Sequence, residues 1–201
     1  LIGHVGSAEH KERFLKPLLE GREAWGPESH YTVMIEESLV RACRSAGLED
    51  RAQVLLTHVL SWAERRLGED HWRTLRALDQ LGHCEYKLGH HDAAASHYKE
   101  LAARNERLHG SDNEATLMAL AQYAENLHQG GHTREGMQVL EQLRPHTETH
   151  PRLLVHMASL AALLAQSGDR PGALRVLEQS LGLAREKLGT TNDTTLELMD
   201  A

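Results

Sequence analysis

The sequence predicts an all-α chain in which helix–turn–helix units repeat and stack as an α-solenoid. A step of six residues from Gly to Thr returns along the chain, and a second series of glycines runs in phase with it. Between these markers Ala and Leu recur in three- and four-residue steps, which is the period of amphipathic helices. A period of about 20–50 residues indicates a repeat array, because each unit buries its apolar face against its neighbours. The Gly–Thr steps are Gly26–Thr32, Gly68–Thr74, Gly110–Thr116 and Gly189–Thr195, and the second series is Gly47, Gly89, Gly131 and Gly168.

The second repeat shows how the elements of one unit are predicted. Residues 68–73 are polar and fit a loop, and Thr74 begins the first helix. Gly89 ends that helix in the left-handed region of backbone space. Asp92 then caps the second helix, which runs to about Leu108. The apolar stripes of the two helices are Leu75, Leu78 and Leu81, followed by Ala94, Tyr98, Leu101 and Ala102.

The other units overlay on this one in register. The first three Gly–Thr steps are 42 residues apart, whereas the third and fourth repeats are separated by 37 residues. The deletion falls near Pro145, which predicts a shorter second helix in the third repeat. The facing small residues Ala124 and Gly136 predict a close contact between two helices. The predicted bounds are 1–25 for a partial repeat (its second helix, with a break at Pro17), 26–67, 68–109, 110–146 and 147–188 for repeats, and 189–201 for the start of a further one.

Composition and charge exclude several classes of protein. The net charge of −7 argues against nucleic acid as the main ligand, because phosphate binding needs a basic face. No apolar run approaches the roughly 18 residues of a membrane span, so no membrane partner is expected. Cys43 and Cys84 fall on predicted helices and fit core residues of a cytoplasmic protein. The chain begins with Leu and stops soon after Thr195, so we interpret it as a segment of a longer protein.

No metal, cofactor or catalytic site is predicted. Fifteen histidines are present, but no His-Glu-x-x-His run or cysteine pair accompanies them. The four-residue pair His128–His132 is interrupted by Gly130 and Gly131, and His150 precedes a proline in a loop. Glycine-rich phosphate loops and Gly-x-Ser-x-Gly turns are also absent from the sequence. We therefore expect a chain that is not an enzyme.

These residues resemble a known family over nearly the whole chain. The tetratricopeptide pattern is matched position for position, and the longer period resembles the repeats of kinesin light chains. Similar arrays occur in bacterial multidomain regulators. The resemblance implies a right-handed superhelix whose concave groove is lined by the first helix of each pair and receives a protein or peptide. The matching residues of the second repeat are Leu78, Leu81, Gly82, Gly89, Ala94 and Tyr98.

One departure from the family concerns its peptide-gripping residues. An Asn pair on the first helix often holds the peptide backbone in this family, and none of the matching places here is Asn. Gln80 and Gln122 can still make amide contacts, because Gln both donates and accepts. The matching places are Glu37–Ser38, Asp79–Gln80, Ala121–Gln122 and Ala158–Ser159.

The repeat register places polar side chains at the N-terminal end of the groove and apolar ones at its C-terminal end. From this arrangement we predict a protein-interaction scaffold that binds a peptide or helix of a partner. Polar contacts would come from the middle of the groove, with apolar anchoring near Val155 and Ala158. We call the candidate partner-binding set the groove residues: Glu37, Arg41, Arg76, Asp79, Gln80, His83, Gln122, Glu125, Val155 and Ser159.

The sequence leaves other interpretations open. The array could be a regulatory or sensor module of a larger signalling protein, such as an NTPase, transcription regulator, kinase or protease, that contacts its own flanking domains. The apolar end of the groove could instead be covered by a following helix that caps the array. Self-association through the exposed repeat ends is a further alternative.

Overall fold

The structure is a computed structural model that describes residues 26 and 28–200. That part of the chain contains nine α-helices and no β-strand, so the predicted all-α solenoid class is confirmed. The expected helix in residues 1–25 and its break at Pro17 lie outside the described residues. The helices are α1 (His30–Ser45), α2 (Glu49–Leu67), α3 (Trp72–Lys87), α4 (His91–His109), α5 (Glu114–Gln129), α6 (Thr133–Leu143), α7 (Val155–Gln166), α8 (Arg170–Lys187) and α9 (Asp193–Asp200).

The chain divides into two compact units, Leu1–His90 and His91–Ala201. In the first unit α1 packs on α2, and α2 packs on α3. In the second unit, each helix from α4 to α8 packs on the helix that follows it. Packing between sequence neighbours is what a solenoid requires, because every hairpin buries its apolar stripe on the adjacent one.

A hydrogen bond explains the recurring Gly–Thr step. Thr74 Oγ1 donates to the carbonyl oxygen of Gly68 at 2.7 Å, and Thr74 is fully buried. The bond connects the loop to the first turn of α3 and gives a carbonyl group that is shielded from water its hydrogen-bond partner. The same bond joins Thr32 to Gly26, Thr116 to Gly110 and Thr195 to Gly189, at 2.6, 2.9 and 2.8 Å.

The second glycine series ends the first helix of each hairpin. Gly89 follows α3 with a φ of +79°. The next amide, that of His90, donates back to the carbonyl oxygen of Glu85 at 2.9 Å. This helix ending requires a left-handed residue, and Gly adopts that conformation without the steric penalty of a Cβ atom. Corresponding bonds follow α1, α5 and α7 at Gly47, Gly131 and Gly168.

Two predicted helix starts are wrong by one or two residues. α3 begins at Trp72, earlier than expected, because the His71 side chain accepts a hydrogen bond from the Arg73 amide at 3.2 Å and caps the helix. α4 begins at His91, so Asp92 lies in its first turn and does not precede the helix as a cap. The negative Asp92 carboxylate still interacts favourably with the helix dipole, whose positive end lies at the first turn.

The third hairpin is shortened, as predicted. α6 has 11 residues, whereas α2 and α4 have 19 each. The chain continues in two 3₁₀ turns, Arg144–Thr147 and Pro151–Leu154. Leu153 takes the place of the repeat threonine and is buried in one core with Leu140 and Met157. Apolar packing therefore secures the start of the fourth hairpin, where the other described hairpins have a Gly–Thr hydrogen bond.

Both cysteines are core residues, as the sequence predicted. Cys43 and Cys84 are free thiols buried in one cluster of the first unit with Leu56 and Leu81. The Cys84 thiol donates a hydrogen bond to the Glu49 carboxylate, with a distance of 3.2 Å between Sγ and Oε2. Burial, and then this bond, raise the pKa of Cys84 to about 12. The Cys84 thiol is therefore a poor nucleophile in the folded chain.

Candidate partner-binding face

The groove residues lie on the first helices of the hairpins and reach the surface. Helices α1 and α3 carry those of the first unit, and helices α5 and α7 carry those of the second. All ten are half-buried or exposed. We call the surface that these residues form in each unit its groove face, which lies on α1 and α3 in the first unit and on α5 and α7 in the second.

In the first unit, an ion pair joins the two first helices. Arg76 of α3 donates to Glu37 of α1, with 3.1 Å between Nη2 and Oε1. The Glu37 side chain is 15% exposed, so the pair sits against the protein surface and is partly shielded from water. On α1 itself, Arg41 donates to the Ser38 hydroxyl at 3.0 Å. The repeat register predicts that Glu37 and Arg76 share one face, but it does not predict that they are partners.

An exposed aromatic residue that sequence analysis did not select adjoins this ion pair. Trp72 begins α3 and is 58% exposed. The guanidinium groups of Arg73 and Arg76 lie 5.4 and 5.3 Å from its ring centroid. These distances allow cation–π attraction, which orders the ring and both cations. Exposed Trp and Arg are the residue types that most often dominate binding energy at protein interfaces.

Asp79 and His83 lie one turn apart on α3 and influence each other's protonation. Partial burial raises the pKa of Asp79 above its ordinary value, and the positive charges of His83 and Arg44 oppose that shift. Partial burial also lowers the pKa of His83, reinforced by Arg44 and Lys87 and opposed by Glu49 and Asp79. The middle of the first unit's face therefore holds mixed charges that are incompletely hydrated.

In the second unit, a three-residue polar cluster joins α5 to α7. Glu125 Oε1 on α5 lies 2.6 Å from His156 Nδ1 and 3.4 Å from Ser159 Oγ on α7. His156 is 4% exposed, whereas Glu125 and Ser159 are half-buried. The sequence predicted Glu125 and Ser159 but missed His156. Its place three residues before Ser159, on the same helix face, is the signal that could have found it.

The C-terminal end of the groove face is apolar, as predicted. A cleft of about 660 Å³ lies against α7 and α8. Alanine and leucine side chains form most of its lining, which also includes Ser159 and Arg170. Val155 is half-buried at the first position of α7, and Gln122 is half-buried on α5. A cleft of this composition can receive an apolar side chain.

Neither of the two histidine pairs separated by four residues lies on one continuous α-helix. α5 ends at Gln129, between His128 and His132. His146 and His150 approach one carboxylate oxygen of Asp112, at 2.7 and 3.5 Å. Among the described residues, no group of three or more His, Cys, Asp or Glu side chains could hold a metal ion. Over the same residues, every helix is too short or too polar to cross a bilayer.

Comparisons with known proteins agree with this geometry. Residues 74–114 and 153–193 match the model of the tetratricopeptide repeat family. The nearly identical repeats of a protein assigned as a kinesin light chain in Podosopora anserina, solved as a single-residue variant, superpose with a TM-score of 0.75. That similarity has 20% sequence identity and covers 90% of this chain and 87% of the other. No curated protein sequence matches the chain.

Two further solved structures share the fold. BtubC (BKLC) from P. vanneervenii gives a TM-score of 0.72 at 13% identity, over 92% of this chain and 76% of that chain. MamA gives a TM-score of 0.64 at 14% identity, over 92% of this chain and 99% of that chain. The predicted resemblance to tetratricopeptide repeats, similar to those of kinesin light chains, is thereby confirmed. Identities this low show the fold, and function has to be argued from the site.

Proposed function

We propose that the chain is a protein-interaction scaffold that binds a peptide or helix of a partner on the groove face, in the cytoplasm. The fold supports a binding role, because repeat arrays of this type generally bind proteins or peptides. The observation that favours the groove face is the polar chemistry between neighbouring first helices. Glu37 meets Arg76 in the first unit, and Glu125 meets Ser159 in the second.

Polar, solvent-accessible contacts suit recognition of an extended backbone. A peptide exposes amide and carbonyl groups along its length, and side chains that donate and accept can pair with both. Gln80 and Gln122 are half-buried, so less side-chain entropy is lost when a ligand fixes them than for fully exposed residues. Trp72 adds a large apolar surface beside the first unit's ion pair. The apolar cleft at the C-terminal end supplies a place for an anchoring side chain.

The first test is a pull-down from the source cells with the purified chain as bait. The variant Gln80→Ala with Gln122→Ala removes both groove amides. A matched control, Gln138→Ala with Gln142→Ala, makes the same changes at two exposed positions of α6. We expect the groove variant to recover much less partner and the control to recover as much as the unmodified chain. Equal recovery by all three proteins would eliminate amide recognition on the groove face.

A further inference from the structure

A buried histidine in the second unit departs from the repeat pattern. His156 of α7 takes the repeat position of Ala77 in α3 and Ala119 in α5. Both alanines are core residues, and His156 is buried to a similar degree, with 4% of its surface exposed. Burying a polar ring at such a place costs free energy unless its nitrogen atoms form hydrogen bonds. An exception of this kind to a regular pattern is typical of a functional position.

The contacts of His156 show what its burial achieves. Its Nδ1 lies 2.6 Å from Oε1 of Glu125 on α5, within hydrogen-bond distance. Its Nε2 is shielded from water and has no hydrogen-bond partner among the described residues. The bond to Glu125 therefore has to offset the cost of an unsatisfied nitrogen atom. Packing alone does not explain a histidine here, because alanine suffices at the same position of α3 and α5.

The Glu125 carboxylate is held at one oxygen and open at the other. Oε1 accepts hydrogen bonds from His156 and, at 3.4 Å, from the hydroxyl group of Ser159. Both donors belong to α7, so the neighbouring first helix restrains this side chain of α5. Oε2 forms no hydrogen bond or ion pair within the part of the chain that the structure describes, and 30% of the Glu125 side chain is exposed. A ligand that pairs with Oε2 meets a side chain that is already ordered, which lowers the entropy lost on binding.

Glu125 is the only charged member of the groove residues in the second unit. The neutral members there are Gln122, Val155 and Ser159. The equivalent positions of the other described hairpins hold Arg41, His83 and Ala162. A negative charge at this position is therefore particular to the third hairpin. A carboxylate with one open oxygen pairs most strongly with a cation that also donates a hydrogen bond, and the side chains with that chemistry are lysine and arginine.

We propose that Glu125 is the acceptor for a lysine or arginine side chain of the partner segment, and that His156 is the residue that positions it. This inference rests on the proposed function, because it names the chemistry of a partner that binds on the groove face. The cation of the partner donates to Oε2, while Oε1 stays bonded to His156 and Ser159. A segment without a basic residue at this place leaves the carboxylate unpaired and binds more weakly.

Peptides selected on the purified chain provide the probes for the test. A phage-displayed library of random peptides about 12 residues long is selected on the unmodified chain at pH 8, where histidine side chains are mostly neutral. The peptides that use the groove are those that do not bind the variant Gln80→Ala with Gln122→Ala. Each of these peptides is synthesised with a fluorescent label. Its lysines and arginines are then exchanged one at a time for the neutral analogues norleucine and citrulline.

Three variants separate the roles of the residues. Glu125→Gln removes the charge and retains the shape of the side chain. His156→Ala removes the positioning bond and introduces the residue that α3 and α5 have at this place, so the fold should tolerate it. Glu178→Gln is the matched control, because Glu178 is exposed on α8. Circular dichroism verifies that all of the proteins have the same helix content, and fluorescence anisotropy measures their affinities for the peptides.

We expect the groove-dependent peptides to contain one basic residue whose neutral analogue binds the unmodified chain and the control roughly tenfold more weakly. The same exchange should make no difference to binding by Glu125→Gln. In His156→Ala its effect should fall to about threefold or less, because Glu125 is present but no longer restrained.

The possible failures of the inference and of the proposed function are distinguishable. Groove-dependent peptides without such a basic residue, or an equal loss of affinity in Glu125→Gln, would overturn the inference and leave the proposed function intact. An undiminished effect of the exchange in His156→Ala would refute the positioning role of His156. If no selected peptide depended on the groove amides, the proposed function would be contradicted and this inference would fall with it.

Discussion

The close approach of α5 and α6 predicts opposite effects for the same substitution at two glycines. Gly136 lies in α6 and is buried. A Cβ atom added there would stand 2.6 Å from the carbonyl oxygen of Ala124 and 3.3 Å from the amide nitrogen of His128. Both neighbours are backbone atoms of α5, so no rotamer change can relieve the overlap. Gly136→Ala must instead move the two helices apart.

The size of the effect follows from two opposing terms. Replacing Gly by Ala inside a helix stabilises it by roughly 0.5–1 kcal/mol. Overpacking a close helix contact costs about 1–3 kcal/mol. We therefore expect Gly136→Ala to lower the free energy of unfolding by about 1–2 kcal/mol. Gly182→Ala is the matched control, because Gly182 is exposed on α8 and an added Cβ atom would meet no atom within 4 Å. In Gly182→Ala, therefore, only the stabilising effect of replacing Gly by Ala inside a helix remains.

The assay is equilibrium urea unfolding followed by circular dichroism at 222 nm. Hydrogen exchange of the α5 and α6 amides locates the change, because a repeat array can unfold in parts. Gly136→Ala should shift the transition to lower urea and speed exchange in α5 and α6, whereas Gly182→Ala should shift it to higher urea. If the two variants were stabilised equally, the helices would not approach each other as the structure shows.

Three further predictions test the repeat signature, the buried thiol and the groove charges. Thr74→Val keeps the shape of the side chain but removes its bond to Gly68, so urea unfolding should show a loss of about 1–2 kcal/mol. Cys84 should react with iodoacetamide at pH 8 on the order of a thousand times more slowly in the folded chain than in urea, because its pKa is about 12 in the fold; mass spectrometry of peptides identifies the site. Because the pKa of His83 is lowered in the fold, the unfolded chain binds the proton more readily below its ordinary value of 6.5. The free energy of unfolding is therefore highest above that pH, where His83 is neutral, and it decreases as the pH falls and the ring is protonated. His83→Gln should reduce the difference between the urea midpoints at pH 7.5 and 5.5.

Each of these predictions has a result that would contradict it. An unchanged urea midpoint in Thr74→Val would mean that the hydroxyl contributes nothing to the loop. Rapid labelling of Cys84 in the folded chain would show that its environment is open to water. An undiminished loss of stability on acidification in His83→Gln would assign the pH dependence to other residues.

Local interactions explain why most of the fold could be predicted from the sequence. The bond between Thr74 and Gly68 spans six residues, and the helix ending at Gly89 involves one turn. Such short-range features leave a signature that repeats with the unit. The start of α3 was mispredicted because capping by His71 is uncommon, since Ser, Thr, Asp and Asn are the usual caps.

The candidate site was less predictable because its contacts join distant residues. Arg76 and Glu37 are separated by 39 positions, and His156 and Glu125 by 31. The register showed which side chains share the face, but not how the side chains pair. His156 was missed because its helix is otherwise apolar there, and its partner belongs to the preceding repeat.

Site-specific photocrosslinking tests partner binding on the groove face most directly. Benzoylphenylalanine replaces Tyr86, an aromatic residue of α3 that is 39% exposed one turn after His83 and Gly82. A second protein carries it at Val54 on α2, which is 69% exposed in the same unit. After irradiation with the partner recovered from the source cells, we predict crosslinks from position 86 and none from position 54. Crosslinks confined to position 54 would place the partner on the second helices and contradict the proposed scaffold mechanism.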